Sequence, residues 1–245
     1  MGIFMEAAQR PCADLARAHA NQTIAADLMV AGASNGSRVS TRLWLGWDLD
    51  AGSLRLEPFQ GSPPAFVFIA NGLTDDNYDP DQLDGSLILP DRSGAIQQEF
   101  SRELLYPLLG VPLSADELTG VMAGCTAFRG SLSGHTLGPD TVRLLFDGDL
   151  PAEMVFGRDG GVPAGWTLLG MGRSTPGSTS HWRADYGRRV PAVFKDFRIR
   201  SREWNGLTTD SFDVSFSWRR IQAGPLLDKQ LFVPEAPSPR PGFAK

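Results

Sequence analysis

Nothing in this chain approaches the ~20 consecutive apolar residues that a membrane-crossing helix requires, and no run of basic residues stands out along it. The net charge is −5, from 23 basic and 28 acidic residues in 245. That balance excludes nucleic acid as an expected partner. Cysteine and histidine are scarce: Cys12 and Cys125, with His19, His135 and His181. Two cysteines cannot build a zinc site without histidine help, and none of these histidines has ligand spacing. The cysteines leave two readings open, a disulfide in an oxidising compartment or a pair of buried thiols. The residues from Met1 to Cys12 lack the basic start and apolar block of a secretory signal. Met1-Gly2 opens like a myristoylation site, but Glu6 stands where Ser or Thr is required. The expectation is a cytosolic protein, or one whose signal was removed.

Phosphate loops and dinucleotide fingerprints are also missing, so no cofactor is expected. Two patterns come near to chemistry. Gly32-Ala33-Ser34-Asn35-Gly36 matches the nucleophile-elbow spacing, but that elbow needs a strand leading into a helix. Here the segment leads into another strand, and Asn35-Gly36 serves better as a hairpin turn, because both residues tolerate positive φ. Asp75, Asn77, Asp79 and Asp81 alternate as in a calcium loop, yet Pro80 and Ser86 occupy the positions that need Gly and Glu. A solvated acidic turn over Asp75 to Asp84 is the better reading. No catalytic or metal-binding residue is assigned, and the chain is read as a non-enzyme.

What is present is β-structure around one helical interruption. Hydrophobic residues make up 42% and charged residues 21%, an ordinary globular balance. Strands are expected over Thr23–Ala31, Arg38–Trp47, the Leu54–Leu56 region, Pro64–Ala70, Ser86–Leu89, Thr141–Phe146, Ala152–Phe156 and Trp166–Met171. Further strands follow around Phe197–Ile199 and over Phe212–Arg219. In the last of these, Phe212, Val214, Phe216 and Trp218 face one way and Asp213, Ser215, Ser217 and Arg219 the other. Leu54 and Leu56 alternate with Arg55 and Glu57, as in a half-buried strand. Gly172–Ser180 has the composition of a flexible loop. About eleven strands joined by hairpin-like turns predict one antiparallel sheet or open barrel.

The interruption lies between Ile96 and Gly124. Ile96, Phe100, Leu104 and Leu108 recur every four residues, which predicts a helix over Ile96–Leu105. Ser114 and Glu117 form a capping box that starts a second helix over Ala115–Ala123, with Leu113 and Leu118 spaced for a hydrophobic staple and Gly124 as its stop. Two helices amid strands must lie across the sheet or plug its opening. A short N-terminal helix is expected over residues 11–20, one domain over 1–236, and a flexible Pro-rich tail over 237–245. Leu43, Leu45, Phe66, Phe68, Phe100, Leu104, Leu108, Phe216 and Trp218 are the candidates to line an apolar interior. They form either a filled core or a cavity in which a lipid chain sits.

Four segments taken in order resemble the LolA/LolB family of lipoprotein-sorting factors of the Gram-negative envelope. They are Leu54-Arg-Leu-Glu-Pro-Phe-Gln-Gly61, Leu108-Leu-Gly-Val-Pro-Leu-Ser114 with its helix and Gly124, Trp182-Arg-Ala-Asp-Tyr-Gly187 with Val190-Pro-Ala192, and Leu231-Phe-Val-Pro-Glu-Ala-Pro237. The similarity covers about residues 23 to 236. It implies an unclosed, strongly curved antiparallel β-barrel with helices over its opening. It further implies a non-enzymatic interior that binds lipid acyl chains or lipoproteins for transport or insertion at the outer membrane. The location implied is periplasmic or outer-membrane-anchored, with the outer-membrane surface or an envelope protein as a further partner. An envelope assembly module with a filled core is the alternative. In such a protein a Cys12–Cys125 disulfide would tie the N-terminal helix to the end of the lid. The turn Glu57-Pro58-Phe59-Gln60-Gly61 matches a family loop that presents an exposed apolar residue, which gives Phe59 to a membrane or partner contact. The competing expectation folds Phe59 back onto the sheet.

Overall fold

The computed structural model describes residues 23–59, 64–73, 83–89, 95–110, 113–125, 131–147, 152–158, 165–174, 181–187, 189–190, 193–194, 196–204, 209–224 and 227–234. The expected N-terminal helix over 11–20, most of the acidic turn and the tail over 237–245 lie outside these residues. The first half holds β1 (Thr23–Ser34), β2 (Ser37–Asp48), β3 (Ser53–Pro58), β4 (Val67–Ala70), β5 (Gly85–Leu89) and β6 (Ala95–Glu99). Helices α1 (Ser101–Leu109) and α2 (Ala115–Ala123) follow. The second half holds β7 (Ser131–Gly138), β8 (Thr141–Asp147), β9 (Ala152–Arg158), β10 (Trp166–Ser174), β11 (His181–Tyr186), β12 (Arg189–Val190), β13 (Val193–Phe194), β14 (Asp196–Trp204) and β15 (Thr209–Gly224), then a 3-10 turn over Lys229–Phe232.

Among the described residues, thirteen strands form one unclosed antiparallel sheet in the order β6-β5-β4-β3-β2-β1-β15-β14-β11-β10-β9-β8-β7, and β12 pairs β13 separately. The order explains where the helices go. From β1 in the middle of the sheet the chain steps outward through neighbouring strands to the edge strand β6. It crosses through α1 and α2 to the opposite edge, β7, and then steps back until β15 lies against β1. The helices are therefore the connection between the two free edges, and the barrel-like sheet stays open beneath them. Asn35 and Gly36 both have positive φ, 49° and 76°, so the first hairpin turns as their sequence requires. A bulge between Asp27 and Leu28 sets Asp27 opposite Arg220 and Leu28 opposite Trp218, adding twist at the centre of the sheet.

Alternation sorts the side chains as the pleat demands. Leu43, Leu45 and Trp47 join the main core, while Trp44 faces outward into a separate cluster. Phe68 and Ala70 join the main core, and Val67 and Ile69 pack with Ile88 on the other face. The inner face of β15 (Phe212, Val214, Phe216 and Trp218) is buried, and the Phe197 ring stacks on Phe216 with centroids 4.8 Å apart.

Three expectations need correction. The first helix starts at Ser101 rather than Ile96: residues 95–99 pair with β5 as the edge strand, and Ile96 is 47% exposed. Period-four apolar spacing there is outweighed by a ladder that satisfies the backbone. Arg55 and Glu57, read as the wet face of their strand, are 3% and 0% exposed, because the chain's last described segment covers them. And Gly172 to Ser174 belong to β10 rather than to a loop.

Candidate functional site

Most of the predicted lining residues come together. Leu43, Leu45, Phe68, Leu104, Phe216 and Trp218 are buried in one apolar cluster, with Phe66 and Leu108 packed half-buried against it. Phe100 does not join them: it is the half-buried N-cap residue of α1 and stands outside the described cluster. The helices supply the inner wall. Leu104, Leu105 and Leu109 of α1, Leu113, and Leu118, Val121 and Met122 of α2 are buried in the same cluster. Leu43, Leu45, Phe68 and Phe216 are each 0% exposed, so these side chains face protein atoms and no space that admits water.

Each helix is fixed by polar contacts at its ends. The N-cap of α1 supplies no side-chain bond. Instead Asp84 accepts from the backbone N–H of Ser101 (2.6 Å) and from its hydroxyl (2.9 Å), placing a carboxylate at the positive helix end. The Ser101 oxygen in turn accepts from the N–H of Ala115 (2.7 Å), which joins the starts of the two helices. At the far end of α1, the Asn35 amide donates to the Tyr106 hydroxyl oxygen (3.0 Å), and Gly110 lies so close to Ser34 that a Cβ there would come within 2.6 Å of its hydroxyl oxygen.

The second helix carries the capping box its sequence predicts. The Ser114 oxygen accepts from the Glu117 N–H, and the Glu117 carboxylate accepts from the Ser114 N–H (3.0 Å). Glu117 does more than cap. It is 6% exposed and takes Arg102 of α1 at 2.7 Å and Arg173 of β10 at 2.8 Å. Burial opposes its charge, but the Arg102 guanidinium, the Ser114 N–H and the Arg173 guanidinium outweigh it and hold the carboxyl below the usual carboxylate range. One carboxylate thus ties helix to helix and helix to barrel. At the other end of α2, the Tyr186 hydroxyl donates to the Val121 carbonyl (2.9 Å), and burial pushes its phenol pKa well up.

Arg173 is the residue that sequence reasoning missed. The glycines and serines after it read as a loop, yet Met171 and Arg173 share the inner face of β10, so the usable signal was the alternation running past Gly172.

Phe59 is half-buried on the outer face beside Trp44, Leu227, Leu231 and Phe232, and its N–H bonds the Arg42 carbonyl at 2.7 Å; residues 60–63 of its loop lie outside the described residues. The Arg42 guanidinium lies 3.7 Å from the ring centroid while also pairing with buried Asp27. The Phe59 ring therefore contributes packing, and Phe59→Ala should cost about 1–2 kcal/mol in urea unfolding through lost burial and the lost cation–π contact. Cys125, just past α2, is half-buried and not a free thiol; Cys12 lies outside the described residues. Among the described residues, no group of three or more His, Cys, Asp or Glu is placed to hold a metal, and no helix is long and apolar enough to cross a membrane.

No protein-family model matches the chain, and no curated protein matches it. Its similarity to solved structures is extensive in length and low in sequence. A putative outer membrane lipoprotein-sorting protein domain from Vibrio parahaemolyticus superposes with a TM-score of 0.56 at 9% identity, covering 93% of this chain and 96% of that one. A DUF1329 family protein from Desulfovibrio piger ATCC 29098 gives a TM-score of 0.50 at 8% identity, covering 93% and 97%. With its unclosed thirteen-strand sheet and two helices joining the free edges, the chain has a LolA/LolB-like fold.

Proposed function

We propose that this protein binds the acyl chains of lipids or lipoproteins in the apolar interior beneath α1 and α2, without catalysis, for transport or insertion at the bacterial outer membrane. The observation that carries the reading is an unclosed barrel whose inner face is apolar and whose opening is spanned by helices held at a few polar points. An acyl chain moved through water gains roughly 0.8 kcal/mol for each methylene shielded, so such an interior suits it. The fold similarity to a lipoprotein-sorting domain supports the same reading. It also supports a periplasmic or outer-membrane-anchored location, with the outer-membrane surface or an envelope protein as a further partner. Because the interior side chains are packed against the helices, loading an acyl chain displaces α1 and α2. The test is mass spectrometry of lipid extracted from the purified protein, together with titration of a fluorescent fatty-acid analogue. Bound acyl chains and saturable enhancement support the reading; neither appearing refutes it.

The packed interior favours a second reading, an envelope assembly module that keeps its core filled. Failure to take up any acyl probe, with intact folding, is its signature.

In either case the compartment is oxidising, and we propose a Cys12–Cys125 disulfide that pins the N-terminal segment to the end of α2. Thiol titration of the denatured protein should then find no free thiol before reduction and two after it. Two thiols before reduction would remove the bond.

A further inference from the structure

We propose that one polar rung at the top of the barrel interior holds the carbonyl group of an acyl ligand, through the indole N–H of Trp182 beside Arg173. The proposal rests on the acyl-binding reading above and names which part of the ligand is recognised. Strand register builds the rung. Arg173 of β10 stands opposite Trp182 of β11, Trp182 opposite Ser201 of β14, Ser201 opposite Phe212 of β15, and Phe212 opposite Ser34 of β1. The next inward rung, two residues along each strand, is Met171, Ala184, Ile199, Val214 and Gly32, with no polar side chain. The interior therefore changes from polar to apolar within one step of the pleat, the pattern that a molecule with a small polar head and a hydrocarbon tail would match.

A second observation identifies a donor within this rung. Trp182 is 7% exposed, and its Nε1–H is buried with no acceptor among the described residues, as is that of Trp218 outside the rung. A buried N–H without a partner costs stability, and such groups are rare unless something supplies the missing acceptor. Arg173, on the adjacent strand, already holds Glu117 of α2. It adds positive charge to the rung while its carboxylate partner keeps the site from being a strong anion trap. A neutral or charged carbonyl oxygen supplies the acceptor that the indole N–H lacks, whereas a bare hydrocarbon leaves it unmatched. The shared chemistry is the acyl carbonyl, presented either by a free fatty acid or by an ester.

The test compares palmitate, methyl palmitate and N-phenyl-1-naphthylamine, an apolar probe with no carbonyl, on the full chain and on Trp182→Phe, which keeps an aromatic ring and removes the N–H. The affinity of each acyl ligand relative to the naphthylamine should fall about tenfold in Trp182→Phe, the loss expected for one hydrogen bond at a buried site. A fall for palmitate alone assigns the head to a carboxylate, and a fall for methyl palmitate alone to an ester. Unchanged ratios for both overturn the proposal. An independent reading needs no variant in the measurement itself. The indole N–H resonance of Trp182 in the unmodified protein should shift when palmitate or its ester binds and stay in place with the naphthylamine. A resonance unmoved by bound palmitate overturns the proposal even if Trp182→Phe folds poorly. If the unmodified protein binds none of the three, the acyl-binding reading itself falls, which is a different result from binding without dependence on Trp182.

Discussion

Glu117→Gln should lower the stability of the protein by about 3 kcal/mol, the low end for breaking a buried ion pair. The side chain is 6% exposed and accepts from Arg173, Arg102 and the Ser114 N–H, so the neutral amide removes the negative charge that both guanidinium groups meet here. Arg102 is 57% exposed and water compensates it, which assigns most of the loss to Arg173 at 22%. For a chain of this size the midpoint of thermal unfolding should drop by roughly 6–12 °C. The pH dependence follows from the lowered carboxyl. A depressed folded pKa adds stability that is complete above the unfolded value, near 4.5, and is lost as pH falls through the folded value. The unmodified protein should therefore lose stability below about pH 4.5 in a way that Glu117→Gln does not. Urea unfolding of both proteins at pH 7 and at stepwise lower pH checks this. A loss under 1 kcal/mol at neutral pH, or parallel pH profiles, would show that Glu117 does no more than a surface pair does.

The parts of this fold that a reader of the sequence could find are those encoded locally. The hairpin at Asn35-Gly36, the capping box of α2 with its Gly124 stop, and the alternation of β15 each rest on a few adjacent residues whose conformational preferences agree with the final structure. What could not be found depends on partners far along the chain. Ile96 and Phe100 fit a helical spacing with Leu104, and only the neighbouring strand β5 decides that residues 95–99 extend instead. Arg173 sits among glycines and serines, and its inward direction is fixed by Ala152 on one side and Trp182 on the other. The interior itself was legible as a list of apolar residues, because alternation assigns a face. The polar rung above it was not, since it takes one residue from each of five strands.

Arg55→Met should be among the costliest single substitutions in the chain, at about 3 kcal/mol, and the reason lies 176 residues downstream. Arg55 and Glu57 alternate with Leu54 and Leu56 and so point out of the barrel, where long polar side chains would ordinarily meet water. The segment from Leu227 to Phe232 covers them. Leu231 and Phe232 pack on Trp44, the Leu227 N–H bonds the Thr23 hydroxyl (3.0 Å), and the Asn71 amide donates to the Phe232 carbonyl (3.1 Å). Beneath this strap Arg55 donates to the Leu231 carbonyl (2.8 Å) and to Glu57 (2.9 Å), with both side chains nearly inaccessible. Methionine matches the arginine stem in length, so the substitution mainly removes the cation that faces a buried carboxylate and the donor that holds the strap. The pair together is another matter. Desolvating two charges offsets most of their attraction, and the Arg55 Nε–H has no acceptor among the described residues. Arg55→Met combined with Glu57→Leu should therefore recover most of the loss and come within about 1 kcal/mol of the original protein. Urea unfolding of the two single variants and the double variant measures the coupling directly. A double variant as unstable as the sum of the singles would mean that the ion pair fastens the C-terminal strap in a way apolar packing cannot replace.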